Sequence, residues 1–126
     1  AARLRALVDA APGALVFVAH NGPNGLGADR AAPFALRRGR RDLGDPDLAD
    51  AVGYARDRGR TVLAVVAGHL HHRGANRRWQ VERDGVLYVN AARVPRIRVD
   101  RGRTVRHHVE LRIADGRAAA RAVWIP

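Results

Sequence analysis

The sequence of 126 residues contains no cysteine, no methionine and no lysine, and only two residues each of tryptophan, tyrosine and phenylalanine. Without cysteine there is no disulfide bond and no thiolate ligand, so a bound metal ion would need histidine, carboxylate, amide or water ligands. No apolar run approaches the ~20 residues that a membrane-spanning helix needs. We therefore expect one domain, located in the cytoplasm and without a membrane partner.

The sequence has many basic residues, and all of them are of one type. All 23 are arginine, and with 12 acidic residues they give a formal net charge of +11. Such a charge can indicate a nucleic acid or another anionic partner. The arginines are spread along the whole chain rather than gathered in one stretch, so they support nucleic-acid binding only weakly.

Two unbroken apolar runs predict buried β-strands. The runs "ALVFVA" at residues 14–19 and "TVLAVVA" at residues 61–67 are continuous, which is typical of strands covered on both faces. Between them, Asp45 is a good N-cap and Pro46 fits the first position of a helix that Gly59 can end. Another helix is predicted before the first run, on the helical spacing of Leu4, Leu7, Val8 and Ala11.

The second half of the sequence predicts antiparallel hairpins, after a long loop over residues 21–44. Asp84-Gly85 and Asp115-Gly116 each separate two strand-like stretches, and Asp-Gly supplies the positive φ angles of tight hairpin turns. The strand before the second turn should face inward with Val105, His107, Val109, Leu111 and Ile113. The predicted fold class is therefore α/β, with a βαβ unit followed by antiparallel hairpins.

Histidines follow both predicted inner strands. His20 comes directly after the first run, and "GHLHH" at residues 68–72 follows the second. In an extended segment, residues two apart point to the same side, so His69 and His71 should face one cleft while Leu70 faces the core. Parallel strands joined through a helix end at the same sheet edge, which would bring His20 there too. Three imidazoles suit Zn²⁺, Mn²⁺ or Fe²⁺, and we predict a metal site rather than a solvated polar turn.

Other polar residues close to these histidines are weaker candidates. His72 has the opposite parity, and we expect it to be a neighbour of the site or a substrate contact. Arg73 and the arginines at 77–78 could bind phosphate oxygens in bidentate fashion, although an exposed arginine-rich loop explains them equally well. Asn21 and Asn90 could orient ligands or cap turns; we favour turn capping for Asn21 and leave both roles open for Asn90.

Three stretches of the sequence resemble the C-terminal half of the calcineurin-like metallophosphoesterase superfamily: "VFVAHNGP", "VLAVVAGHLHH" and "GVLYVNAARVPR". Members of that family carry, in order, Asp-x-His, Gly-Asp, Gly-Asn-His-Asp/Glu, a lone His after a strand, and Gly-His-x-His. The last two elements are present, and the resemblance spans residues 14–98. It implies an α/β sandwich in which His20 and His69 ligate one divalent ion and His71 ligates a second, the ions being Mn, Fe or Zn.

The three earlier elements of that family, which supply its carboxylate ligands, do not occur in this sequence. Gly44-Asp45 lies after His20, out of order, and capping a helix is sufficient to explain it. We therefore expect residues 1–126 to be the C-terminal portion of one metallophosphoesterase domain whose N-terminal metal-binding half is missing. Such a fragment should have negligible turnover by itself, because imidazoles alone do not neutralise two dications.

The resemblance implies a hydrolase that cleaves phosphate mono- or diesters at a dinuclear metal site. Its substrate would be a phosphorylated small molecule, a nucleotide or a phosphoprotein. No residue of the sequence is assigned a catalytic role beyond binding metal. The alternative is a non-catalytic metal-binding domain whose arginine-rich surface attracts an anionic partner.

Overall fold

A computed structural model gives the chain a mixed α/β fold with parallel and antiparallel sheets, as predicted, and describes residues 2–29, 31–36, 41–73 and 78–126. Among these residues, no helix combines the length and the apolar character that crossing a membrane would require. In chain order the elements are α1 (Ala2–Ala10), β1 (Leu15–Val18), β2 (Ala35–Leu36), β3 (Arg41–Asp42), α2 (Pro46–Asp57), β4 (Val62–Ala67), β5 (Gln80–Arg83), β6 (Val86–Asn90), β7 (Ile97–Asp100), β8 (Arg103–Ala114) and β9 (Arg117–Ile125).

The largest sheet has the strand order β1-β4-β6-β5. β1 and β4 are parallel neighbours, with Val16 opposite Ala64 and Val18 opposite Val66. β6 is also parallel to β4, while β5 pairs with β6 in the antiparallel direction. The succession β1, α2 and β4 is therefore the predicted βαβ unit, and the carboxyl ends of three parallel strands lie at one sheet edge.

α2 begins where the sequence predicts it. The Oδ1 atom of Asp45 accepts hydrogen bonds from the N–H groups of Asp47 (2.8 Å) and Leu48 (3.3 Å), which have no partner within the helix. Pro46 occupies the first turn, where its missing N–H costs nothing. Gly59, just past the helix, has a φ of 70°, a conformation that glycine adopts without strain.

Both faces of the four-stranded sheet are covered. On one face, Val65 and Tyr88 pack in a cluster with Val52 of α2 and other helix residues. On the opposite face, Val89 packs with Leu111 of β8 and with small residues of β9. This two-sided burial is the physical reason that the run forming β4 is apolar without alternation. The prediction of a buried strand is wrong for most of β1, which lies at the sheet edge with only Leu15 buried and Val18 83% exposed.

The segment between β1 and α2 is long and largely irregular, as predicted. Its only regular part among the described residues is the antiparallel pair β2 and β3, with Ala35 opposite Asp42. Phe34 is 1% exposed and belongs to the core cluster on the helix side of the sheet. A Cβ atom at Gly22 would overlap the Phe34 ring, so glycine allows the chain to pass directly over it.

Three hairpin turns pair a residue at positive φ with a following glycine. Asp84-Gly85 (52° and 76°) joins β5 to β6, and Asp115-Gly116 (51° and 70°) joins β8 to β9, both as predicted. The third turn, Arg101-Gly102 (48° and 76°), joins β7 to β8. The sequence does not predict it, because arginine is not among the residues that favour positive φ.

β8 presents alternate residues to the sheet beneath it, as predicted for four of the five positions. Val105 and His107 are buried, and Val109 and Leu111 are half-buried. Ile113 is 51% exposed instead, at the end of the strand next to the hairpin turn. The apolar cover of the sheet therefore ends before the tip of the β8–β9 hairpin.

His107 is 4% exposed, and its ring meets Trp124 edge-on at a centroid distance of 5.2 Å. Burial lowers the pKa of His107 below its ordinary value of 6.5, and the positive charges of Arg93, His108 and Arg96 act in the same direction. The folded protein therefore holds this imidazole in its neutral form at a pH where the unfolded chain would already be protonated.

We predict that His107 makes the protein less stable as the pH falls below its ordinary pKa. Because the pKa of His107 is lower in the folded state, the unfolded chain binds a proton first on acidification, which favours unfolding. The measurement is the urea unfolding free energy at about pH 7.5 and about pH 5 for the wild type and for His107→Leu. His107→Leu should lose less stability between the two pH values than the wild type does. His108→Leu, which removes only one of the charges that lower this pKa, should stay closer to the wild type. An equal loss in the His107 variant would contradict the lowered pKa.

Candidate functional site

The parallel pairing of β1 and β4 continues beyond the last strand residues and brings two histidines together. The N–H of Ala19 donates to the carbonyl of Val66 at 3.0 Å, and the N–H of Gly68 donates to the carbonyl of His20 at 3.0 Å. Each strand therefore delivers one histidine to the same point of the sheet edge. His20 and His69 lie side by side there.

The rings of His20 and His69 are in direct contact. Nε2 of His20 lies 2.9 Å from Nδ1 of His69, the ring centroids are 4.7 Å apart, and the ring planes are inclined at 56°. One of the two nitrogens carries a hydrogen and donates a hydrogen bond to the other, and the tautomers of the two rings decide which one donates. Both residues are exposed, so a ligand can reach the pair from solvent.

The spacing of these two nitrogens fits a single metal ion. An ion ~2.1 Å from each of two nitrogens 2.9 Å apart would subtend an angle of about 90°, the angle between neighbouring ligands in octahedral coordination. Imidazole nitrogen suits the divalent ions of Mn, Fe and Zn. The pair could therefore offer two nitrogen ligands to one ion if both rings turned so that their lone pairs pointed to it instead of along the line between them.

The backbone at His69 adopts an uncommon conformation. Its φ is 63°, in the left-handed region where few residues other than glycine, asparagine, aspartate and histidine occur. The N–H of Leu70 donates to the carbonyl of Gly68 at 2.8 Å, so the chain turns tightly directly after β4. Such backbone strain is concentrated at functional sites in proteins, where surrounding structure maintains it.

His71 lies in the same cleft as the histidine pair but does not join it. An open cleft of about 570 Å³ is lined by His20, His69 and His71, as the sequence predicts. The prediction that an extended segment turns His69 and His71 to the same side is wrong, however. β4 ends at Ala67, and a left-handed turn at His69 replaces the extended segment. Leu70 is half-buried and packs against the core, also as predicted.

The histidines do not form a complete metal site by themselves. Among the described residues, no three side chains of His, Asp or Glu are close enough to hold one ion. All 12 carboxylates of the chain belong to the described residues, and none of them lines the cleft. His20 and His69 offer two ligand nitrogens close together, and His71 offers a separate one. Further ligands would have to come from water, a substrate or another polypeptide segment.

His72 points into the protein. It is 3% exposed, and its Nε2 donates to the carbonyl of Asn90 at 3.1 Å. The N–H of His72 donates to the carbonyl of Ala92 at 3.0 Å, and its own carbonyl accepts from the N–H of Val94 at 2.8 Å. His72 is thus a neighbour of the site. The other role considered for it, a substrate contact, stays a prediction without structural support, because the buried ring does not line the cleft.

Asn90, at the end of β6, ties three segments together from a fully buried position. Its Nδ2 donates to the carbonyls of Pro33 (2.7 Å) and Leu70 (2.8 Å), and its Oδ1 accepts from the N–H of Ala92 (3.0 Å). Leu70 lies between the two histidines of its loop that face the cleft. Asn90 therefore caps a turn and also holds residues 68–72, which we call the histidine loop. Both roles left open for it thus have a structural basis.

Asn21 stabilises the chain directly after His20. Its Oδ1 accepts from the N–H of Gly22 at 2.9 Å, and its Nδ2 donates to the carbonyl of Leu43 at 2.6 Å. These bonds match the turn-capping role favoured for Asn21. They also connect the segment that carries His20 to the residues before α2.

Two arginines that the sequence does not single out, Arg93 and Arg96, line the cleft. Arg73 and Arg78, which are candidates from the sequence, are exposed and do not line it, and Arg77 lies outside the described residues. The signal for the two missed arginines is their position in "NAARVPR", after β6. Because β6 runs parallel to β4, the chain that follows it emerges at the same sheet edge as the histidines.

Comparison with protein-family models, with curated proteins and with solved structures finds no match to this chain. The site is therefore interpreted from its own geometry: two imidazoles in contact, a third in the same cleft, and two arginines beside them.

Proposed function

We propose that this chain supplies histidine ligands to a metal centre that hydrolyses phosphate esters, in the manner of the calcineurin-like metallophosphoesterases that its sequence resembles. The observation that carries the proposal is the 2.9 Å separation of Nε2 of His20 and Nδ1 of His69, at the carboxyl ends of neighbouring parallel strands. Two nitrogens at this separation fit one ion, and a third imidazole lies in the same cleft. Mono- and diesters of phosphate are the proposed substrates.

In this reaction, the residues of this chain would bind the metal ions and hold the metal-binding histidines in position. His20 and His69 would hold one ion and His71 the second, while Asn90 keeps the loop of the last two in place through the Leu70 carbonyl. Divalent ions, when bound, lower the pKa of water and stabilise the charge that develops on phosphoryl oxygens. Small residues in the cleft lining, such as Ala19, leave the cleft open to a ligand.

The carboxylate ligands of such a centre would come from another polypeptide segment. β1 forms one edge of the four-stranded sheet, and its last residue, Val18, is 83% exposed beside the histidine pair. An unpaired strand edge is a template for a further strand. A segment added there would bring its side chains next to His20, and we propose that the helix layer, central sheet and β8–β9 layer are part of a metallophosphoesterase sandwich.

We predict that the chain binds one divalent ion through His20 and His69. In His69→Ala, the dissociation constant for Mn²⁺ or Zn²⁺ should rise by more than the ~10–100-fold that loss of a supporting residue typically costs, because one of the two contacting donors is removed. Isothermal titration calorimetry near neutral pH measures it. His108→Ala, which removes an exposed imidazole from β8, serves as the control and should bind as the wild type does. Equal affinities in wild type and His69→Ala would rule out the pair as a metal site.

Asn90→Ala tests whether the fully buried amide positions the histidine loop. The substitution leaves the carbonyls of Pro33 and Leu70 and the N–H of Ala92 without their partner, at a cost of about 1–3 kcal/mol for each group that stays unpaired. We expect a lower melting temperature and, well below it, a metal affinity reduced ~10–100-fold. Asn24→Ala, at an exposed position, should change neither. A lower melting temperature with unchanged metal affinity would restrict Asn90 to a structural role.

An activity assay separates the proposed hydrolase from a non-catalytic metal-binding domain. The 126 residues alone should show negligible Mn²⁺-dependent hydrolysis of aryl phosphate mono- and diesters, because the cleft contains no carboxylate among the described residues. When the chain is joined to the segment that carries Asp-x-His and Gly-Asn-His, turnover should appear and be abolished by His69→Ala. Metal binding without turnover in the joined polypeptide would favour the non-catalytic alternative.

A further inference from the structure

Arg93 and Arg96 lie on a segment that the rest of the structure fixes beside the histidine loop. Residues 72 and 93 form a parallel bridge, with the hydrogen bonds of the His72 backbone to Ala92 and Val94 on either side. The N–H of His107 also donates to the carbonyl of Arg96 at 2.7 Å. The two arginines therefore enter the cleft from a braced backbone.

Within the described part of the chain, no carboxylate pairs with the positive charge that Arg93 and Arg96 bring to the cleft. None of the ion pairs among the described residues includes Arg93 or Arg96, and no carboxylate lines the cleft there. Burial is the largest cause of the lowered pKa of His107, and the positive charges of both arginines lower this pKa further. The cleft that contains the three histidines therefore has a positively charged wall without an ion-pair partner in the described part of the chain.

Arg93 is held in a partly desolvated position. Its Cζ lies 5.1 Å from the centroid of the Trp124 ring, a cation–π distance that restrains the guanidinium plane. Its Nε is buried and has no hydrogen-bond partner among the described residues. Buried donors without a partner are rare in folded proteins, and a charged group removed from water calls for a counter-ion.

We infer that Arg93 and Arg96 form an anion subsite in the wall of the histidine cleft that takes the phosphoryl group of the substrate. The inference rests on the proposed function for the identity of the anion as a phosphate. Guanidinium groups present paired N–H donors that match the oxygens of a phosphate, and their charge does not titrate. A terminal phosphomonoester suits the subsite best, since its three non-bridging oxygens can meet the arginines and metal ions at once.

The test uses inorganic phosphate as the probe and metal-free protein, in a buffer of low ionic strength without other multivalent anions. Phosphate affinity is measured by calorimetry for the wild type, Arg96→Ala and Arg93→Lys. Each substitution should weaken phosphate binding about tenfold, because the first removes a guanidinium and the second keeps the charge but loses its paired donors. Arg112→Ala removes an equal charge from the exposed face of β8 and should change the affinity less than about twofold.

Because the protein is free of metal throughout the test, failure of the metal proposal leaves this result intact. Arg73→Ala separates the subsite from the arginines that the sequence favours, and it should bind phosphate as the wild type does. The subsite is refuted if metal-free wild type shows no phosphate binding, if the two cleft variants lose no more affinity than Arg112→Ala, or if Arg73→Ala alone weakens binding. Thermal unfolding of each variant verifies that it is folded.

Discussion

The hydrogen-bonded register between β1 and β4 is the constraint on which the site depends. The two strands run parallel, and their ladder continues through Ala19 and Gly68 after both strands have ended. These hydrogen bonds fix the register of one strand against the other. The first histidine after each strand therefore lies at the same level of the sheet edge. A shift of one residue would turn every side chain to the other face of the sheet. The contact of His20 with His69 is thus a consequence of the backbone pairing of β1 with β4.

Hydrogen bonds of two buried side chains hold the loops that follow β4 and β6 at this sheet edge. Asn90 and His72 are both buried, and they connect the loop after β4 to the segment after β6 through backbone carbonyls. Polar groups in the interior are costly unless each one is paired, and when paired they fix a unique arrangement. The strained left-handed turn at His69 is maintained by this bracing. The segments that carry the histidines and the arginines of the cleft are therefore connected by one set of hydrogen bonds.

The sequence predicts the strands, the βαβ unit and two of three hairpin turns, because apolar runs, caps and Asp-Gly turns are local signals. It predicts less well what depends on contacts between distant segments. The shared cleft of His69 and His71 follows from strand parity only by coincidence, since a turn at His69 produces it instead. Arg93 reaches the cleft through its bridge to His72, and this pairing has no signature in the neighbouring residues. The third hairpin turn uses arginine at positive φ, where the surrounding strands outweigh local preference.

The charges of the cleft couple its two ligand types. Two arginines line it together with three imidazoles and, among the described residues, no carboxylate. A dication between His20 and His69 would be repelled by the guanidinium groups, while an anion beside Arg93 would attract it. Binding free energies that interact in this way are reciprocal: phosphate should raise the affinity for metal by the factor by which metal raises the affinity for phosphate. A cleft with this charge distribution would bind each component more tightly in the presence of the other, and it would favour a ligand whose phosphoryl oxygens can meet the metal and the arginines at the same time.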